Sequence, residues 1–269
     1  MCNSWTTLNF KRQSSGGNLN KDFLSYKADE LCTVENFIEG RFLLIDKPYR
    51  WSSFDIVNKI RILFRYHLGI RKIKVGHAGT LDPLATGLMI VCIGKMTKNI
   101  EFFTGLDKEY IAEITFGGTT PSFDLETEIE QKYEYEHIDN KKINKTLEIF
   151  TGTQKQKPPL FSAVKIDGKR AYKHARKGDN FELNEREVTF YNLELMEYKV
   201  PIAKIRINCS KGTYIRSFAN DLGKALNSGA HLSSLKRTKT GNFTLEEAIT
   251  IEQFETNLKN IKNIQPDEL

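Results

Sequence analysis

His77 and Asp82 lie in the stretch Gly76-His77-Ala78-Gly79-Thr80-Leu81-Asp82-Pro83-Leu84-Ala85-Thr86-Gly87, whose twelve residues hold three glycines and one proline. Proline fixes its own φ and disfavours the helical region for the residue before it. The Asp82 backbone is therefore expected to be extended, with its carboxylate held in one direction. The apolar run Leu88-Met89-Ile90-Val91-Cys92-Ile93 follows, of strand length. A stiff loop entering a buried strand can mount one reactive group. Two plainer readings stand beside that one. Asp-Pro is a common turn opener, in which the carboxylate only bonds its own backbone. His77 and Asp82 could both ligate a metal, but no further His or Cys falls at zinc spacing, and no metal is expected. The loop also fails the phosphate-cradle pattern, since no Lys-Ser/Thr follows its last glycine.

The elements that must position this loop are legible from periodicity. Phe42-Leu43-Leu44-Ile45 reads as a buried strand ending at Asp46-Lys47-Pro48. Ser52 can cap a helix, with Asp55 at capping-box spacing, and Ile56, Ile60, Leu63 and Phe64 form its apolar stripe. Residues 97–103 suit a short helix. Tyr110, Ala112, Ile114 and Phe116 alternate as in a strand with one buried face. Asp139 can cap a helix carrying Ile143, Leu147 and Phe150, stopped by Gly152. After Pro158-Pro159 come a short strand at 161–166, a tight turn at Asp167-Gly168 and a helical piece at 171–176. Strands are expected at 188–196 and 203–209. Ile215, Phe218, Ala219, Leu222 and Leu226 mark an amphipathic helix with Gly229 near its end, and 246–260 reads as a closing helix. Strands and helices mix without regular βαβ alternation. The expected class is α+β, with a mixed, mainly antiparallel central sheet and flanking helices. Residues 1–40 read as a polar N-terminal extension, partly disordered. The main domain is drawn over 41–245, with an insertion at about 153–178 and a short tail over 246–269.

Charge is segregated along the chain of 269 residues, whose net charge is +6. Arg50 to Lys74 holds seven Lys/Arg against one acid, and Lys155 to Lys177 holds eight against one. Between them, Asp124 to Asp139 holds seven acids and one lysine. Two basic surfaces and an anionic partner are the natural reading; a solvated lysine-rich surface is the plain one. The four cysteines form no CxxC pair, and Cys92 and Cys209 sit in apolar or alternating runs. That pattern suits packed thiols in a reducing compartment. No stretch reaches the roughly 18 apolar residues of a membrane span, and no secretory h-region opens the chain. A cytoplasmic location is expected.

The stretch GHAGTLDPLATGLMIVCIGKMTK at 76–98 resembles the signature of the tRNA pseudouridine-55 synthases, the TruB family. Four further blocks resemble that family in the right order over about residues 42–240. They are Leu43–Pro48 with Ser52–Asp55; Lys108-Glu109-Tyr110; the basic stretch Gln156–Lys165 with Gly168–Tyr172 and Ala175–Gly178; and Cys209–Arg216. Five ordered motifs are far more specific than any one.

The resemblance implies a pseudouridine synthase fold and an isomerisation. The bond from ribose C1′ to uracil N1 is cut, the base turns, and C1′ rejoins at C5. Such a reaction needs no redox cofactor, ATP or metal, and no cofactor is expected. It needs a nucleophile ionised at neutral pH, which a carboxylate provides. Asp82 matches the family's catalytic aspartate, and Arg216 matches the position that pairs with it and offsets its desolvation. Tyr110 matches the stacking tyrosine for a flipped-out base. His77 matches the histidine that helps hold the flipped conformation. Tyr214 and Leu235 match pocket-wall positions, and Lys98 a lysine near the pocket. The implied partner is tRNA, gripped at its T arm by the basic insertion through phosphates, with the protein expected to act as a monomer.

The chain departs from the family at three places. A glycine usually follows soon after the first motif's Lys-Pro; here Tyr49-Arg50-Trp51 stands. Pro121 and Thr127 replace the usual acid and glycine in the loop that keeps Thr120 and Asp124. The tail is too short for a complete PUA domain. Two alternatives remain beside the tRNA enzyme: a guide-RNA-dependent synthase acting on ribosomal RNA, and an RNA-binding protein or tRNA chaperone whose catalysis is dispensable.

Overall fold

The structure, a computed structural model, describes residues 34–162, 165–166, 169–170, 181 and 183–262. Its contacts divide it into two units. One comprises the described residues up to Gly105 and those from Asn242 onward; the other is Leu106–Gly241. Most of the expected N-terminal extension lies outside the described residues, as do the turn at 167–168 and the expected helix at 171–176.

The first unit runs through α1 (Val34–Glu39), β1 (Arg41–Lys47), α2 (Ser53–Leu68), β2 (Val75–Ala78), β3 (Ala85–Ile93), a 3₁₀ turn at Gly94–Asn99 and α3 (Ile100–Gly105). The element expected over 97–103 is thus two pieces meeting at Ile100. β3 is the centre. β1 pairs with it antiparallel, Ile45 opposite Met89, and β2 does the same, His77 opposite Val91. Leu88 to Ile93 are all fully buried, as an unbroken apolar strand requires. α2 starts where its sequence predicts. The Ser52 hydroxyl accepts from Asp55 N–H at 3.2 Å, and the Asp55 carboxylate accepts from Ser52 N–H at 2.8 Å. Its stripe Ile56, Ile60, Leu63 and Phe64 packs with Leu43, Ile45, Met89 and Val91.

The closing helix, Ile251–Lys262, completes this core through Ile251, Phe254 and Leu258, with Phe254 edge-on to Phe64 at 5.7 Å. Each such side chain contributes about 1.5–3 kcal/mol by burial. This helix begins at Ile251 rather than at 246, because Leu245–Glu247 forms its own 3₁₀ turn, in which the Glu247 carboxylate accepts from Thr244 N–H at 2.7 Å. Asn242 onward therefore groups with the first unit, although the sequence reads as ending in a tail.

The second unit contains β4 (Lys108–Phe116), α4 (Asn140–Phe150), β5 (Gly152–Gln156), β6 (Arg186–Lys199), β7 (Ile202–Cys209), α5 (Ile215–Ala225) and β8 (Ala230–Thr240). Its strands pair antiparallel in the order β8-β4-β7-β6-β5. On β4, Lys108, Tyr110, Ala112, Ile114 and Phe116 are buried while their neighbours are half-exposed, the period-two pattern of a one-sided strand. Asp139 caps α4 by accepting from Lys142 N–H at 2.7 Å. α5 places Phe218 against Phe190 and Phe150, at 5.0 and 5.6 Å between ring centroids. It ends at Leu226 with Asn227 left-handed. Gly229 is required for a different reason: a Cβ there would lie 2.3 Å from the Tyr133 ring. β6 extends beyond the apolar segment of the sequence, since Glu197–Lys199 still pair with β7 through their backbones. In the basic insertion, Lys165–Ile166 pair antiparallel with Lys169–Arg170. The fold is α+β with a mostly antiparallel sheet, as its sequence predicts.

Candidate active site

The Asp82 loop joins β2 to β3 and is fastened from several sides within the first unit. Ser53, the first residue of α2, is buried. Its hydroxyl donates to the Leu81 carbonyl at 3.0 Å and accepts from Leu81 N–H at 2.9 Å. Asp82, half-buried, opens a turn in which Ala85 N–H donates to the Asp82 carbonyl at 3.0 Å. Arg50 N–H donates to the Pro83 carbonyl at 2.8 Å. Lys47 is fully buried at the end of β1. Its ammonium donates to the carbonyls of Trp51, Pro48 and Pro83 at 2.5, 3.0 and 3.4 Å. Three donors meeting three carbonyls is how an ammonium is satisfied away from water. Gly79 and Gly87 flank the loop with φ of +95 and +99, where a side chain is disfavoured. The result is a carboxylate on a backbone with little freedom, which is what positioning for catalysis demands. His77 sits on β2 just before this loop and is half-buried, while Lys98 is exposed on the 3₁₀ turn.

The second unit carries the other sequence-predicted residues. Tyr110, buried on β4, is paired with Arg237 of β8, and Ala112 with Leu235. Tyr110 and Leu235 are thus diagonal neighbours on one face of the sheet. Arg216 lies in the first turn of α5 and is only 3% exposed. Its Nε faces an Asp124 carboxylate oxygen at 3.6 Å, and its Nη1 donates to the Ser122 carbonyl at 3.2 Å. A cation at a helix N-terminus opposes the helix dipole, and the buried Asp124 supplies the compensating charge.

The loop that presents Asp124 is closed by hydroxyls. Thr120 Oγ1 donates to the Asp124 carbonyl at 2.6 Å, Ser122 Oγ lies 2.8 Å from Thr127 Oγ1, and Ser122 N–H donates to that Thr127 oxygen at 3.1 Å. The Thr127 that departs from the family pattern therefore holds its own loop together. Tyr214 caps α5 and is clamped at both backbone groups by the buried Gln156 amide: Tyr214 N–H to Oε1 at 2.8 Å, and Nε2 to the Tyr214 carbonyl at 3.0 Å. The Ser217 hydroxyl donates to the Lys157 carbonyl at 2.7 Å, so the base of the basic insertion is tied to the start of α5. The Arg186 guanidinium covers the Tyr214 ring at 5.2 Å.

Ser53, Lys47, Asp124 and Gln156 are the residues that sequence reasoning did not single out as functional. Ser53 and Lys47 stand inside the first motif, and Asp124 inside a retained pattern, so their blocks were visible but their partners were not. Two electrostatic features complete the picture. Burial, reinforced by Arg237, holds the Lys108 amine down to about 8. Burial pushes the thiols of Cys92 and Cys209 up to about 12, which makes both unreactive packing groups. Among the described residues no cluster of His, Cys, Asp and Glu could hold a metal, and no helix is long and apolar enough to cross a membrane.

The family model for the N-terminal domain of TruB family pseudouridylate synthases matches residues 65–215, and that for the tRNA pseudouridylate synthase B C-terminal domain matches 216–269. A protein of Phocaeicola vulgatus named tRNA pseudouridine synthase B is 55% identical over 219 residues, 81% of this chain and 93% of its own length. One of Flavobacterium johnsoniae with the same name is 50% identical over 228 residues, 84% of this chain and all of its own. Among solved structures, a chain of a Cbf5-Nop10-Gar1 complex superposes with a TM-score of 0.62 at 28% identity, covering 82% of this chain. This protein spans only about half, 54%, of that solved chain. Fold and sequence agree on one class: the chain belongs to the TruB family of pseudouridylate synthases.

Proposed function

We propose that this chain converts uridine 55 in the T loop of tRNA to pseudouridine, with Asp82 as the nucleophile. The observation that carries the substrate is the likeness to relatives named tRNA pseudouridine synthase B, at 50–55% identity over 93–100% of their length. The guide-dependent alternative rests on a weaker likeness, 28% identity to a chain only 54% spanned. Tyr110 stacks on the flipped uracil, and His77 helps hold the flipped nucleotide. Arg216 supplies the positive charge that accompanies the nucleophile. Tyr214 and Leu235 wall the base against escape and Lys98 adds positive charge near it. The basic insertion takes the T-arm phosphates, and the enzyme acts as a cytoplasmic monomer without a cofactor.

The test is to incubate the protein with an unmodified tRNA transcript, omit any guide RNA, and map pseudouridine. Product at the T loop is expected. Asp82→Asn should bind the same transcript and make none. Turnover by that variant would remove the nucleophile, and product only in ribosomal RNA with a guide present would favour the alternative.

A further inference from the structure

Arg50 has a left-handed backbone, φ +67, a region that favours glycine and that only Phe123 and Asn227 share among the described non-glycine residues. The one task its backbone performs is to donate N–H to the Pro83 carbonyl at 2.8 Å, beside Asp82. Glycine would do this equally well and without strain. The side chain is thus unnecessary to the turn. It is exposed, and its guanidinium lies 5.6 Å from the centre of the Tyr49 ring, itself 52% exposed. Among the described residues it is paired with no carboxylate. The same basic block exposes Arg65, Arg71, Lys72 and Lys74.

We infer that Arg50 is an RNA-binding residue: its guanidinium, shelved on Tyr49, contacts a backbone phosphate of the tRNA next to the nucleotide that Asp82 attacks. This rests on the function proposed above. Arginine suits the task because its planar fork matches phosphate and stacks on an aromatic ring. The backbone hydrogen bond to Pro83 ties the contact to the reactive turn, so a strained residue that packs nothing is explained by what it touches outside the protein.

The experiment measures tRNA binding by the full chain across a salt series, for wild type, Arg50→Gly and Arg50→Lys, with single-turnover product formation alongside. Arg50→Gly is expected to bind about 3–10-fold more weakly near 0.1 M salt. Its slope of log affinity against log salt should fall by about 0.7–0.9, one phosphate's worth. Its thermal midpoint should stay close to that of wild type, since the strain relieved offsets the freedom that glycine adds to the unfolded chain. Arg50→Lys should keep the slope. If Arg50→Gly binds with wild-type affinity and slope, or melts earlier with its slope unchanged, the contact does not exist. Wild-type turnover separates the two levels: no T-loop product from wild type would sink the enzymatic reading itself, whereas normal product with an unmoved slope would sink only the role of Arg50.

Discussion

Ser53 holds Leu81 through a single hydroxyl used in both directions, giving a hydrogen bond to its carbonyl at 3.0 Å and taking one from its N–H at 2.9 Å. The residue held is the one before Asp82. Helix α2 therefore anchors the Asp82 turn through its first residue, whose neighbour Ser52 caps that helix. Helix packing against β1 and β3 is in this way converted into a fixed position for one carboxylate.

Removing that hydroxyl should loosen the carboxylate more than it harms the fold. Ser53→Ala leaves two backbone groups of Leu81 without this partner, which costs about 1–3 kcal/mol in stability. We expect kcat to fall by about tenfold or more through misplacement of Asp82, with KM for tRNA little changed. Ser53→Thr, which keeps the hydroxyl, should recover most of the rate. Steady-state kinetics on the three proteins decide it: a Thr variant as slow as the Ala variant would show that the hydroxyl is not the cause.

Arg216 and Asp124 form a buried pair, with side chains 3% and 6% exposed. Arg216→Ala leaves a buried carboxylate without this cation and should lower stability by about 3–5 kcal/mol, as broken buried pairs do. Rate should fall as well. Combining Arg216→Met with Asp124→Leu removes both charges, and should return part of the stability in urea denaturation while leaving the rate low. A double variant no more stable than the single one would contradict the pairing, and one with normal rate would deny Arg216 any part in the chemistry.

Lys108 makes a prediction about pH. Burial, then the nearby Arg237, depresses its amine from 10.5 to about 8. Between those values the unfolded chain carries a proton on Lys108 that the folded chain has released. Stability therefore rises with pH through this window, and the penalty of holding a buried ammonium is full only below about pH 8. Measured as the difference in unfolding free energy between wild type and Lys108→Met, the balance should move toward wild type by up to about 3 kcal/mol from pH 8 to 10.5. A difference flat across that range would mean that the amine is not depressed. The shift has an additional consequence: a Lys108 that hydrogen-bonds the Leu106 carbonyl from inside the sheet can be neutral at mildly alkaline pH without breaking that bond.

The sequence alone determines the local elements and the family. Ser52 and Asp55 are three residues apart, so their reciprocal cap is written in the chain. The stripe from Ile56 to Phe64 and the alternation from Tyr110 to Phe116 announce their buried faces, because helix and strand periods are short-range geometry. Asp82 is singled out by its motif as the candidate reactive group. Tertiary structure alone decides what fastens these parts: Ser53 to Leu81, Gln156 to Tyr214, and Arg216 to Asp124. Those partners lie 28, 58 and 92 residues apart in the chain. No local propensity relates residues so distant. They meet because strand register and helix packing bring them together, and buried polar groups must then be satisfied by whatever stands opposite. The left-handed Arg50 is of the same kind: a sequence records that glycine is missing, and only the folded turn shows what conformation its replacement is made to adopt.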